Sequence, residues 1–158
     1  MPIYTSRYSN KELKKDGYYP VGISLGTPKF PLGYELKGQC YTLAPKGAML
    51  KLGYDEYKEA YIRKIENIGV GKVIRIVNDL SNKAEAEGKS LVLLCYEDVR
   101  NPETWCHRTI FAEWWLKHTG EVIGELTDES PCKALEKARK EKEKVEEIFN
   151  PYEQLSLF

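Results

Sequence analysis

Twelve positions, from Glu97 to Arg108, hold a carboxylate, a thiol, an imidazole and a guanidinium. They fall in two short blocks, Leu93-Leu94-Cys95-Tyr96-Glu97 and Trp105-Cys106-His107-Arg108. Read as a catalytic set, Glu97 or His107 carries a proton and Cys106 is a thiol available for nucleophilic work. Arg108 offers a bidentate donor to phosphate or carboxylate, and the Trp105 ring offers a surface on which a base can stack. Read as structure, Glu97 pairs with Arg108 to lock the loop between the blocks, and His107 satisfies a backbone carbonyl. The residue types allow both readings. No cofactor is expected. Nor is a metal site: Cys95, Cys106 and His107 lack a fourth ligand, and adjacent helical residues rarely converge on one ion.

Two further patterns are decoys. Cys95 to Arg100 has the Cys-x4-Arg spacing of a sulfur-transfer loop, but Glu97 and Asp98 inside it would repel an anion and raise the thiol pKa. Gly88-Lys89-Ser90 imitates the end of a phosphate-binding loop, but Lys83 stands where the first glycine belongs. That triplet also follows a helix and opens a strand, the reverse of the order needed.

The elements that position these residues can be read from periodicity and turn chemistry. Pro2 to Tyr8 reads as a strand, and Ser9-Asn10-Lys11-Glu12 as a capping box opening a short helix. Val21 to Leu25 reads as a second strand leading into a long Gly- and Pro-rich segment that runs to about Gly53. Within it, Cys40 to Leu43 has the look of a short strand. Tyr54–Asn67 and Val70–Glu87 carry apolar residues at helical spacing, and Gly88 caps the second. Ser90–Cys95 is apolar throughout, as a strand buried on both faces would be. Cys106–His118 reads as a helix, which places Cys106, His107 and Arg108 in its first turn, where free N–H groups and the dipole favour anions. Glu121–Leu126 reads as a last strand. Ser130-Pro131 signals the start of a helix running to Phe149. The alternation predicts one α/β layered domain with a mostly parallel central sheet flanked by helices. That domain covers 1–130, followed by a charged helix over 131–149 and an extended tail over 150–158.

The two chemical blocks, followed by Ala112-Glu113-Trp114-Trp115-Leu116, resemble the signature of the domain-of-unknown-function 488 family. Ile3-Tyr4-Thr5-Ser6, Gly26-Thr27-Pro28 with Phe30, Leu43-Ala44-Pro45 and the tyrosine-rich stretch Tyr54–Tyr61 extend the likeness over roughly residues 1–126. The resemblance implies a compact α/β domain. Its pocket would be built from the glycine-rich loop after the second strand, Glu97 and the Cys106–Arg108 segment. One position departs: relatives carry an Arg just before the Gly-x-Pro segment, and here it is Leu25. Lys29 or Arg7 would have to supply that charge, with Thr27 as a further ligand in the same loop. The resemblance names no reaction.

The chain ends Gln154-Leu155-Ser156-Leu157-Phe158, which matches the pentapeptide by which bacterial and phage proteins dock onto the β sliding clamp of the replisome. Leu155, Leu157 and Phe158 can each bury apolar area worth roughly 1.5–3 kcal/mol, and the Gln154 amide, donor and acceptor at once, fixes register. Pro151 should end the preceding helix and leave the peptide extended. The competing reading is a hydrophobic tail folded back on its own domain.

Composition narrows the classes. The 158 residues carry 24 Lys and Arg against 24 Asp and Glu, a formal net charge of zero. A free-standing nucleic-acid binder would show a basic excess, so strong direct DNA binding is not expected. No apolar run is long enough to cross a bilayer, and no membrane partner is expected. The four cysteines, Cys40, Cys95, Cys106 and Cys132, lack CxxC spacing and read as reduced cytoplasmic thiols. Two functions of different class follow. One is a bacterial or phage accessory protein of DNA metabolism that binds the sliding clamp. The other is an enzyme acting on a nucleotide, nucleobase or phosphate-bearing ligand in the Glu97/Cys106-His107-Arg108 pocket.

Overall fold

A computed structural model of the chain describes the backbone of residues 1–156 and the side chains of residues 1–148. Its centre is β4 (Ser90–Cys95), all six of whose residues are buried. On one side β4 pairs with β1 (Tyr4–Arg7), and on the other with β2 (Tyr18–Gly22). Two-residue strands complete the edges, β3 (Gly38–Gln39) beside β2 and β5 (Gly124–Glu125) beside β1. All five run parallel in the order β3-β2-β4-β1-β5, so the mostly parallel α/β sheet expected from the sequence is wholly parallel.

Alternate β4 residues face opposite ways, and each face has its own cover. Leu91 and Leu93 meet the helices α1 (Tyr54–Ile68), α2 (Val70–Ala86) and α3 (His107–Thr119) in the larger core, through Tyr57, Tyr61, Ile65, Val73, Val77, Ile110, Phe111 and Trp115. Val92 and Leu94 meet Tyr8, Leu13 and Leu126, with Leu32, Tyr34 and Leu36 closing over them. The three long packed helices therefore share one face. The other is covered by a 3-10 turn (Lys11–Lys14) and the irregular segment after β2.

Several boundaries move from their sequence-based positions, each for a local reason. The second strand is Tyr18–Gly22 rather than Val21–Leu25, with Pro20 inside it. Pro20 fits because its carbonyl, and with it its nitrogen, faces the β3 side, where Lys37 N–H donates to Pro20 O at 2.8 Å before β3 has begun. No ladder donor is lost there. The helical turn after β1 is capped by Asn10, whose Oδ1 accepts from Glu12 N–H at 3.0 Å. Cys40–Leu43 is not a strand: Cys40 precedes a 3-10 turn (Tyr41–Leu43), and a second such turn covers Gly47–Lys51. The segment is tied to α1 by Tyr61 Oη donating to Leu43 O at 2.6 Å and by Lys64 Nζ donating to the carbonyls of Thr42 and Ala44.

The last helix, α4 (Lys133–Ser156), starts later than Ser130 because Ser130 is already engaged. Its N–H donates to Asp128 Oδ1 at 3.0 Å and its carbonyl accepts from Arg100 Nη1 at 2.6 Å. The same helix runs through Pro151, where the sequence suggested an extended tail. The fixed proline φ is compatible with a helix, and the helix forgoes the hydrogen bond of one N–H in a segment otherwise rich in Glu and Lys, both good helix formers. Of the docking pentapeptide, Gln154, Leu155 and Ser156 have helical backbone. All five of its side chains, and Leu157 and Phe158 altogether, lie outside the described residues.

Candidate functional site

The carboxyl ends of β2 and β4 meet the first turn of α3, at the edge where parallel sheets bind ligands. Cys95 is the last residue of β4, and Glu97 lies two residues past it. Cys106 is the N-cap of α3, in extended conformation (φ −145°, ψ 150°), and His107 is the first helical residue. Because Cys106 is not helical, its side chain and that of His107 turn to the same side, toward Cys95. His107 Nδ1 stands 3.6 Å from Cys106 Sγ and 3.8 Å from Cys95 Sγ. The other ring nitrogen, Nε2, lies 2.7 Å from the carbonyl oxygen of Ile23. A neutral ring must then carry its proton on Nε2, which leaves the Nδ1 lone pair facing the two sulfurs. All three side chains are buried, while Glu97, exposed as a residue, turns its carboxylate inward to accept from Cys95 Sγ at 3.3 Å.

The electrostatics separate the two thiols. Burial pushes Cys106 up, but the Cys95 thiol, His107 and the Arg108 charge together outweigh it and hold Cys106 well below its ordinary value. Cys95, beside Cys106 and Glu97 and itself buried, is pushed far upward. Burial and the neighbouring Cys106 also raise the Glu97 carboxyl, making it a better proton acceptor than an exposed carboxylate.

Beside this cluster lies a cavity of ≈ 200 Å³ lined by Ser24, Leu25, Gly26, Pro45, Leu50 and Tyr57 from one side and by Cys95, Tyr96, Glu97 and His107 from the other. Its rim is held by a chain of hydrogen bonds: Gln39 Nε2 donates to Tyr8 Oη, Tyr8 Oη bonds Ser24 Oγ at 2.6 Å, and Ser24 Oγ donates to Gly26 O. Tyr96 closes the near side, its ring against Tyr8 and its hydroxyl donating to Gly26 O at 2.8 Å.

The sequence-derived site is thus assembled in part. Glu97 and His107 reach the cavity, and Cys106 stands behind His107. Arg108 does not reach it. Its guanidinium, 1% exposed, pairs with Glu125 through Nε–Oε1 at 2.9 Å and Nη2–Oε2 at 3.0 Å, and donates from Nη2 to the Glu97 carbonyl at 2.7 Å. The expected ion pair of Arg108 with the Glu97 carboxylate is replaced by this backbone contact. Trp105 packs edge-on against Tyr57 and Tyr54, with ring centroids 4.6 and 5.4 Å apart, and does not line the cavity. Thr27 and Lys29 are exposed outside it. Arg7, the other substitute for the family arginine, is bound to Asp128 at 2.6 Å. Among the described residues no Lys or Arg lines this cavity, so it lacks the cation that the family resemblance would imply at position 25. Arg100 closes onto Asp98 through two contacts and onto the carbonyls of Asp128 and Ser130, rather than toward Cys95 as a sulfur-transfer loop would need.

Ser24, Tyr57 and Tyr96 were not legible as site residues. The tyrosine-rich stretch Tyr54–Tyr61 is the one signal in the sequence that points toward Tyr57. Comparison with family models, with curated proteins and with solved structures finds no match to this chain.

Proposed function

We propose that this protein is an accessory factor of DNA metabolism that binds the bacterial β sliding clamp through Gln154–Phe158. Its α/β domain, similar to the domain-of-unknown-function 488 family, brings a small-ligand cavity to that site. The pentapeptide match carries the partner. Support comes from α4: from Leu135 to Ile148 every residue is exposed, and the helical stretch from Lys133 to Gln154 at about 1.5 Å per residue spans roughly 32 Å. An exposed helix of this length would offer the peptide to a groove on another protein, where Gln154–Ser156 would leave the helix to dock extended. The test is calorimetry of purified clamp with the full chain and with a chain ending at Glu153. The full chain should bind with roughly micromolar affinity and the shortened one should not. Equal binding by the two would end the reading.

For the cavity, the chemistry favours an uncharged, ring-bearing ligand of nucleobase or nucleoside type over a phosphate. Two tyrosine rings, the Ser24 hydroxyl and the Glu97 carboxylate line it without a cation. Glu97 would accept hydrogen bonds from a base edge or take up its proton, while His107 is held by Ile23. Thermal-shift titration with nucleobases, nucleosides and inorganic phosphate tests this. A base or nucleoside at about a hundred times its Kd should raise Tm by roughly 5–10 °C. Glu97→Gln should lose most of that shift, and phosphate should give none. Stabilisation by phosphate alone would reverse the assignment.

A further inference from the structure

We propose that Cys95, Cys106 and His107 form a binding site for a divalent ion of zinc type, with an oxygen ligand completing it on the cavity side. The three candidate ligand atoms, Cys95 Sγ, Cys106 Sγ and His107 Nδ1, all lie within 4.8 Å of one another. Zinc bound tetrahedrally at about 2.3 Å to sulfur and about 2.0–2.1 Å to nitrogen sets its S···N edges at about 3.6 Å. The two S···N separations here are 3.6 and 3.8 Å. Two of the three edges already have these lengths, and the third, between the sulfurs, is no longer than 4.8 Å.

Three further observations point the same way. His107 donates Nε2–H to the Ile23 carbonyl at 2.7 Å, the outer contact that commonly fixes a metal-binding imidazole with its other nitrogen toward the ion. Two thiolates cancel a divalent charge, so the ion and its three buried protein ligands are together neutral where Cys95, Cys106 and His107 are only 4%, 1% and 3% exposed, and a Glu97 carboxylate in the fourth place would put the one remaining charge on the cavity side. The fourth corner has a donor at hand, since Glu97 Oε2 is 3.3 Å from Cys95 Sγ and Glu97, Cys95 and His107 line the cavity. The oxygen there is the Glu97 carboxylate or a water hydrogen-bonded to it. Binding the ion displaces to solvent any proton the two sulfurs still carry and leaves the imidazole neutral. The site joins the end of β4 to the start of α3, and softness of the sulfur ligands selects zinc over magnesium or calcium.

The experiment loads the reduced full chain with cobalt(II) and then zinc(II). Expected is one equivalent per chain, with thiolate-to-cobalt charge transfer and the visible bands of tetrahedral cobalt. Cys95→Ser, Cys106→Ser and His107→Ala should each weaken binding at least about a hundredfold, while Cys40→Ser and Cys132→Ser should leave it unchanged. Absence of thiolate charge transfer in the wild type would overturn the proposal, as would equal loss in Cys40→Ser or Cys132→Ser. Because a buried variant can fail to fold, X-ray absorption of the zinc-loaded wild type is the second arm. Two sulfur and two nitrogen or oxygen neighbours support the site, and any shell without two sulfurs rejects it. These readouts are centred on the metal, so the outcome is separate from whether the cavity binds a base or the tail binds the clamp.

Discussion

Asp128 is the acid on which the charged side chains behind the site converge. Arg7 Nε donates to its Oδ2 at 2.6 Å, Ser130 N–H to its Oδ1 at 3.0 Å, and Arg100 Nη2 lies 3.7 Å away. Burial raises its pKa, but the Arg7 and Ser130 hydrogen bonds more than offset that and leave it below the usual carboxylate value. A carboxyl depressed in the folded state stabilises above its unfolded pKa of about 3.9, and the contribution is lost as pH falls through the folded value. Asp128→Asn should therefore cost about 1–2 kcal/mol near neutrality, a fall in Tm of roughly 3–6 °C. The gap between variant and wild type should shrink steadily as the pH drops below about 4. Differential scanning calorimetry from pH 7 to pH 3 measures it. A gap independent of pH would mean that the aspartate acts by shape rather than charge. Arg108 is likewise held by internal partners: Glu125 and the Glu97 carbonyl satisfy Nε and Nη2 of this deeply buried guanidinium, while Nη1 has no partner among the described residues.

Among the elements, β2 and its continuation decide the shape of the cavity, and Gly22 is the position where they tolerate no side chain. A Cβ there would collide with the Tyr8 hydroxyl and the Gln39 amide, the two groups that pass hydrogen bonds on to Ser24. Gln39 can swing aside, but the Tyr8 ring is buried and fixed. Gly22→Ala should destabilise by about 1–3 kcal/mol in urea unfolding and should weaken nucleoside binding by displacing Ser24 and Gly26. An unchanged urea midpoint would mean that the rim moves freely. Much at this scale was legible in the chain. Tyr54–Ile68, Val70–Ala86 and Ser90–Cys95 follow from long periodic or continuous apolar patterns that tertiary context had no reason to override. Of the edge strands, Gly124–Glu125 lies inside the expected Glu121–Leu126, but Gly38–Gln39 was not legible, because a two-residue strand owes its existence to a neighbour rather than to β propensity. The same holds at the site. Residue types placed Glu97, Cys106 and His107 together, but the diversion of Arg108 to Glu125 depends on β5 lying beside α3, which no spacing within the chain encodes.

On the scale of the whole molecule the protein divides into a domain that buries its apolar residues and a helix that does not. The core holds Trp115, Phe111, Tyr61 and the β4 leucines at 1% exposure or less. Along α4, by contrast, Leu135, Val145 and Ile148 are 48%, 51% and 63% exposed, and every residue from Leu135 to Ile148 is open to solvent. Such a helix draws its stability from its own backbone and from pairs such as Arg139 with Glu143 at 3.7 Å, each worth only a few tenths of a kcal/mol. It therefore adds little to the domain. Cys132, buried at the start of the helix, is where the domain ends energetically. A chain cut after Ala134 should keep its Tm within about 2 °C of the full chain, because the described side chains it removes, Leu135 to Ile148, are all exposed and contribute less than about 0.5 kcal/mol. The same cut should remove the exposed helix from the circular dichroism signal and abolish clamp binding. Calorimetric scans of the two chains, run beside the clamp titration, separate the roles. A large fall in Tm would show α4 to be a structural strap, whereas an unchanged Tm with lost clamp binding makes it a spacer that carries the docking peptide away from the cavity.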